Sequence, residues 1–214
     1  FINSNIKSLD RVKSLCKKNN ITNEDNLNIY KGDVRDNLIL EKIFNDAVHK
    51  GSPIKGVMHL AGLKSVSESI NNPIKYWDVN VGGAISLLKV IRETSCKIVI
   101  FSSSATIYKP QGGVKLKESS PKGPINPYGY SKLTNELILE NLFRSNPNLW
   151  KIANLRYFNP IGAHESGLIG ENPLNIPNNL FPYICRVAFK NYKELKIFGS
   201  DWNTHDGTCI RDYI

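Results

Sequence analysis

At 214 residues, with 41% hydrophobic and 22% charged side chains, the chain can bury a substantial core and does not have the composition of a disordered segment. Its formal charge of +9 invites a nucleic-acid partner, but the basic residues run from Lys7 to Arg211 without a cluster interleaved with aromatics, and a drift toward Lys, Asn and Ile accounts for the charge at least as well. No run approaches ~18 apolar residues, the first residues lack a signal-peptide pattern, and Cys16, Cys96, Cys185 and Cys209 show neither Cys-x-x-Cys spacing nor a paired histidine; the expectation is a cytoplasmic protein with no membrane span, disulfide framework or metal site.

In chain order, a polar stretch over 1–24 carries a helical segment around Val12 and Leu15, and Leu27-Asn28-Ile29-Tyr30 reads as a short strand running into Lys31-Gly32-Asp33-Val34-Arg35-Asp36. Asp36 can cap a helix whose apolar face carries Ile39, Leu40, Ile43, Phe44, Ala47 and Val48. Gly56-Val57-Met58-His59-Leu60-Ala61-Gly62 reads as a buried strand ending in a small-residue loop, followed by a long helical region from Pro73 through Ile91. Lys97–Phe101 is a continuous apolar strand that stops at Ser102-Ser103-Ser104. Asn126 can cap, and Pro127 can open, a helix that continues through Leu133, Leu137, Ile138 and Leu142. Ile152–Arg156 is the next strand; beyond it come Pro, Asn and Gly loops, a helix from about Leu180 to Phe189 and a strand over Leu195–Gly199. Short two-sided apolar strands alternating with helices predict a parallel sheet covered on both faces.

Ligands bind such sheets at the carboxyl ends of the strands. The chemically unusual residues fall there: Asp33 after one strand, Ala61, Gly62 and Lys64 after the next, Ser102 to Ser104 after the third, and Tyr157-Phe158-Asn159 after the fourth. Taken singly, each reads as a turn residue, loop glycine or cap. Their joint placement points to a site. In the helix after Asn126, Tyr128 and Lys132 are four residues apart and share one face. A fixed cation beside a phenol favours the phenolate and can turn a tyrosine into a base, although the pair by itself also fits a solvated helix face.

Assembled, these residues resemble the extended short-chain dehydrogenase/reductases, most closely the UDP-glucose 4-epimerases. The resemblance lies in His59-Leu60-Ala61-Gly62-Leu63-Lys64, Phe101-Ser102-Ser103-Ser104-Ala105-Thr106, Pro127-Tyr128-Gly129-Tyr130-Ser131-Lys132, Leu155-Arg156-Tyr157-Phe158-Asn159-Pro160, Pro177-Asn178-Asn179-Leu180 and Gly207-Thr208-Cys209-Ile210-Arg211-Asp212-Tyr213. It implies an α/β, Rossmann-like doubly wound parallel sheet with a smaller substrate-binding cap, incomplete at both ends: an NAD-binding domain over 1–158 and part of a UDP-sugar-binding region over 159–214. It implies Tyr128 as the acid/base, Lys132 at the nicotinamide ribose and depressing the Tyr128 pKa, and Ser104 on the reacting hydroxyl. Asp33 and Val34 would lie at the adenine; Leu60, Ala61, Gly62, Leu63, Lys64 and Asn80 would line the dinucleotide, and Phe158 the nicotinamide. Asn159, Asn179, Leu180, Lys196, Phe198 and Arg211 would hold UDP-glucose or UDP-galactose, with the Arg211 guanidinium matched to the diphosphate. The full-length protein would be a homodimer with no nucleic-acid or membrane partner.

The pattern has departures. The glycine-rich turn expected after a first strand and the acidic residue closing the second are absent, so the chain reads as a fragment starting beyond both and ending before the sugar pocket is complete, and Lys109 follows Tyr108 where relatives usually carry Gly. A nucleotide-sugar dehydratase would need an Asp-Glu pair where Ser104-Ala105 stands. A non-catalytic dinucleotide sensor on this fold typically lacks the Tyr or Lys. Both of these readings rank below epimerase.

Overall fold

The computed structural model describes residues 3–19, 27–112, 115–174 and 176–214. The chain forms two compact units, one of Tyr30–Phe158 and one joining Phe1–Ile29 to Asn159–Ile214.

The first unit is a three-stranded parallel sheet with helical crossovers. Its elements are α2 (Asn37–His49), β1 (Gly56–His59), α3 (Val66–Asn71), α4 (Pro73–Tyr76), α5 (Gly83–Arg92), β2 (Ile98–Ser104), α6 (Pro127–Ser145) and β3 (Lys151–Tyr157). The strand order β1-β2-β3 follows the chain, with His59 opposite Phe101 and Ser104 opposite Tyr157. Crossovers of this length are what parallel pairing requires. Together they make the Rossmann-like α/β architecture.

Alternation along the strands puts Val57, His59, Val99, Phe101 and Ser103 on one face. The main core lies on that face. Val99 and Phe101 cluster with Leu40 and Phe44 of α2, Leu87, Val90 and Ile91 of α5, Leu139 of α6, and Trp150. Each fully buried side chain of this size contributes about 1.5–3 kcal/mol. The opposite face is more open among the described residues, with Met58 62% exposed.

Local chemistry sets the helix starts. Asp36 accepts from the backbone amides of Leu38 and Ile39, and Asn126 accepts from Gly129 at 2.8 Å with Pro127 in the first turn. Gly129 has no room for a side chain: a Cβ there would lie 2.8 Å from the Thr106 carbonyl oxygen. α6 therefore starts hard against the end of β2.

The helical region expected from Pro73 through Ile91 is present over Pro73–Arg92, with a π-helical turn, Trp77–Gly82, joining α4 to α5 and carrying the buried Asn80. Two expectations are corrected. β2 does not stop at Phe101 but continues through the serines, which pair with Leu155, Arg156 and Tyr157 of β3. Leu27–Tyr30 and Leu195–Gly199 are not strands; these apolar runs have no ladder partner among the described residues.

The second unit has α1 (Lys7–Lys18) and α7 (Leu180–Ala188), with a short pairing of Asn159 and Tyr213.

Candidate active site

Tyr128 and Lys132 occupy consecutive turns of α6, beside the carboxyl end of β2. Lys132 is buried, and its ammonium donates to the Ser102 carbonyl at 2.7 Å. It lies 5.0 Å from the centre of the Phe101 ring and 5.8 Å from that of Tyr128. Burial pushes its pKa down to about 8. Burial pushes the Tyr128 phenol up, and a hydrogen bond with the Ser104 hydroxyl pulls it part of the way back. The expected depression by Lys132 is not what sets the phenol here: burial is the larger effect and raises it, and the ammonium is bonded to the Ser102 carbonyl. Ser104 in turn accepts from the Thr106 hydroxyl at 3.0 Å and the Thr106 amide at 3.2 Å. Its own proton is therefore left to donate elsewhere.

Around this group runs a tier of buried polar side chains, of which Asn80 is among the expected site residues and Ser131, Asn135 and Glu136 are not. Asn80 accepts from the Leu63 amide at 2.7 Å and donates to the Leu63 carbonyl and to Ser131 at 3.1 Å each, tying the loop after β1 to α6. Asn135 donates to the Asn80 carbonyl at 2.9 Å. One turn beyond Lys132, the Glu136 carboxylate accepts from Ser103 at 2.6 Å and from Arg156 at 2.9 and 2.8 Å. Arg156 also donates to the Tyr108 hydroxyl at 2.9 Å and the Glu118 carbonyl at 2.8 Å. Burial raises the Glu136 pKa, but Arg156 and Ser103 outweigh it and hold the group below its ordinary value. The sequence did carry a signal for this tier: Ser131, Asn135 and Glu136 put polar groups on the helix sides that Tyr128 and Lys132 already mark as inward.

The residues expected at the dinucleotide are spread along the same unit. Asp33 is exposed and gripped by Arg35 through bonds of 2.9 and 2.7 Å, which hold its pKa at about 2. Arg35 bridges on to Asp78. Val34 is packed against the core. Leu60, Ala61, Gly62 and Lys64 form an exposed loop at the end of β1, and Leu63 is half-buried. His59, which precedes that loop, is buried with Nε2 lacking a partner, and its pKa is driven down to about 4 by burial and by the Lys132 charge. It is a neutral imidazole at pH 7.

Two features of this region fit a dinucleotide. A Cβ on Gly62 would lie 3.2 Å from Asn80 Oδ1 and 3.8 Å from Lys132 Nζ, so a side chain there would crowd the Asn80 carboxamide and stand beside the ammonium. An ammonium has three donors, and among the described residues Lys132 has one acceptor, the Ser102 carbonyl. The vicinal hydroxyls of a ribose suit what remains.

The second unit holds the residues expected at the sugar nucleotide. Asn159 donates its side-chain amide to the Asp212 carbonyl at 2.9 Å. Asn179 precedes α7 without capping it and donates to Glu171 at 2.7 Å. Arg211 donates to the Ile210 carbonyl at 2.8 Å. Leu180, Lys196 and Arg211 are exposed, and Phe198 is 87% exposed. Among the described residues, no group of His, Cys, Asp or Glu is arranged to hold a metal ion, and no helix is long and apolar enough to cross a membrane.

The family profile described as GDP-mannose 4,6 dehydratase matches residues 1–214. The chain is 45% identical over 214 residues to UDP-glucose 4-epimerase 2 of Arabidopsis thaliana, covering 100% of this chain and 58% of that protein. It is 46% identical over 213 residues to the UDP-glucose 4-epimerase of Neisseria meningitidis serogroup B, covering 99% and 59%. The solved structure of UDP-glucose 4-epimerase from Bifidobacterium longum, in complex with NAD+ and UDP, superposes with a TM-score of 0.88 at 43% identity, over 100% of this chain and 60% of that one. The chain thus spans less than two thirds of the length of each of these proteins.

Proposed function

Since the chain belongs to the GDP-mannose 4,6 dehydratase family and is similar to UDP-glucose 4-epimerases, we propose that the protein of which it is part interconverts UDP-glucose and UDP-galactose by inverting C4, using bound NAD. The observation that carries this reading is Tyr128 and the buried Lys132 on consecutive turns of α6, the Lys132 ammonium 5.8 Å from the Tyr128 ring and bonded to the Ser102 carbonyl at 2.7 Å beside Ser104.

In this reading Tyr128 takes the proton of the sugar 4-hydroxyl in one half-reaction and returns it in the other, so its protonation state is restored after each turnover. Ser104 donates to the reacting oxygen, oriented by the two bonds it accepts from Thr106. Lys132, Gly62 and the loop 60–64 hold the nicotinamide half of the cofactor, with Phe158 alongside; Asp33 and Val34 hold the adenine half, and Asn80 fixes the loop at Leu63. A nicotinamide dinucleotide held there would supply the hydride transfer to and from C4, and its positive charge would favour the Tyr128 phenolate. Asn159, Asn179, Leu180, Lys196, Phe198 and Arg211 bind the UDP-sugar, Arg211 at the diphosphate. We read 1–158 as the NAD-binding part and 159–214 as part of the sugar-nucleotide-binding region. The whole protein is read as a cytoplasmic homodimer.

A dehydratase reading, which the family description invites, lacks its acid and base: residues 102–108 contain no carboxylate, and Ser104 leads into a short 3₁₀ turn, Ala105–Ile107.

The test is conversion of UDP-galactose to UDP-glucose by the full-length protein and by Tyr128→Phe. We expect the variant to lose about 10²–10⁴-fold in kcat, the usual contribution of a positioned acid/base. Unchanged turnover overturns the assignment of Tyr128.

A further inference from the structure

We infer that Glu136 is a positioning residue for the proton transfer, setting the register of α6 on β2 so that Tyr128 meets Ser104. The inference rests on the proposed reading of Tyr128.

Tyr128, Lys132 and Glu136 follow one another at spacing four, so three successive turns of α6 present one stripe. That stripe engages three successive residues at the end of β2. Lys132 bonds the Ser102 carbonyl at 2.7 Å and Glu136 accepts from the Ser103 hydroxyl at 2.6 Å, and the Tyr128 phenol, one turn before Lys132, is under the influence of the Ser104 hydroxyl, which lowers its pKa. Ser103 and Ser104 alternate in direction along the strand, so a slip of the helix that broke one bond would also displace the other.

Arg156 supplies the rigidity. It stands opposite Ser103 on β3 and grips both oxygens of Glu136, which fixes the carboxylate plane and leaves Oε1 aimed at Ser103. Its remaining nitrogen reaches Tyr108 and Glu118, so the segment after β2 is anchored by the same guanidinium. Lys122 adds a looser contact to Glu136 at 3.6 Å.

Stability alone is a poor explanation for a carboxylate that is 2% exposed, since apolar side chains of similar volume commonly serve as well as a buried ion pair. What the pair adds is directionality. A displacement of about 1 Å can cost on the order of 10²-fold in rate when reacting groups must be aligned.

The experiment uses the full-length protein and measures kcat per bound NAD, KM for UDP-galactose and the pH profile of kcat for wild type, Glu136→Gln and Ser103→Ala. Glu136→Gln keeps the shape and removes the charge-assisted grip. We expect its kcat per cofactor-loaded site to fall about 10–100-fold. Its KM should stay within about threefold of wild type, because the substrate contacts are untouched. The acidic limb of its kcat profile should move to higher pH, as a phenol misaligned with Ser104 loses the bond that lowers its pKa. A merely structural role would reduce the amount of loaded enzyme and leave that limb in place; an unmoved limb with unchanged kcat per loaded site overturns the inference. Should Glu136→Gln fail to fold, Ser103→Ala decides. It removes one hydroxyl and should move the limb the same way with a smaller loss of rate, and an unmoved limb again overturns the inference. A wild-type protein that does not convert UDP-galactose would instead overturn the proposed function.

Discussion

The two units treat polar groups in opposite ways. In Tyr30–Phe158 the polar side chains Asn80, Ser103, Ser131, Lys132, Asn135 and Glu136 are buried and bonded to one another or to backbone, so the proton-transfer group sits in a scaffold that is already set. In the unit containing Asn159–Ile214 the residues proposed for the sugar nucleotide make local bonds, as Asn179 does to Glu171, and large apolar side chains lie at the surface, with Ile197 77% exposed. The first unit holds its residues by buried contacts. The second holds its own by bonds between exposed groups.

That contrast can be broken at its buried side. Arg156→Ala leaves the Glu136 carboxylate without its main partner, and removing one member of a buried pair costs about 3–5 kcal/mol. Urea unfolding of the full-length protein should show a lower midpoint of that order, and a loss below ~1 kcal/mol would mean that the pair is not the anchor.

The pH dependence of the same pair sharpens the comparison. The Glu136 pKa is lowered in the folded protein, so its contribution is complete above the ordinary carboxylate pKa and lost as pH falls through the folded value. Wild type should therefore lose stability on acidification over that window, and Glu136→Gln should lose less. Equal acid sensitivity would assign the effect to other carboxylates.

The smallest effect is expected on the exposed side. Phe198→Ser removes a side chain that is 87% exposed, and stability should stay within about 0.5 kcal/mol of wild type. If Phe198 contacts the nucleotide sugar, KM for UDP-galactose rises while the unfolding midpoint stays put. A large fall in midpoint would show that the aromatic is a packing residue.

Much of the first unit could be read from the chain. α6 was legible because its start is local chemistry: Asn126 caps onto Gly129 three residues on, and Pro127 suits the first turn. α2 announced itself in the same way through Asp36. The helical spacing of Tyr128 and Lys132 needed nothing beyond 3.6 residues per turn. Strand limits were harder, since a strand needs a partner that the segment itself does not specify. The serines after Phe101 lengthen β2 because β3 pairs with them, whereas the equally apolar Leu195–Gly199 forms no ladder among the described residues.

By itself, the sequence determined where α2 and α6 begin, that Tyr128 and Lys132 share a helix face, and that a run of serines follows an apolar strand. These depend on neighbours a few positions apart. Only the tertiary structure decided that Glu136 and Arg156, twenty residues apart, close on Ser103, and that burial, more than the nearby ammonium, governs the Tyr128 phenol. Both follow from desolvation, which depends on what packs over a group, and no local pattern of residues records that.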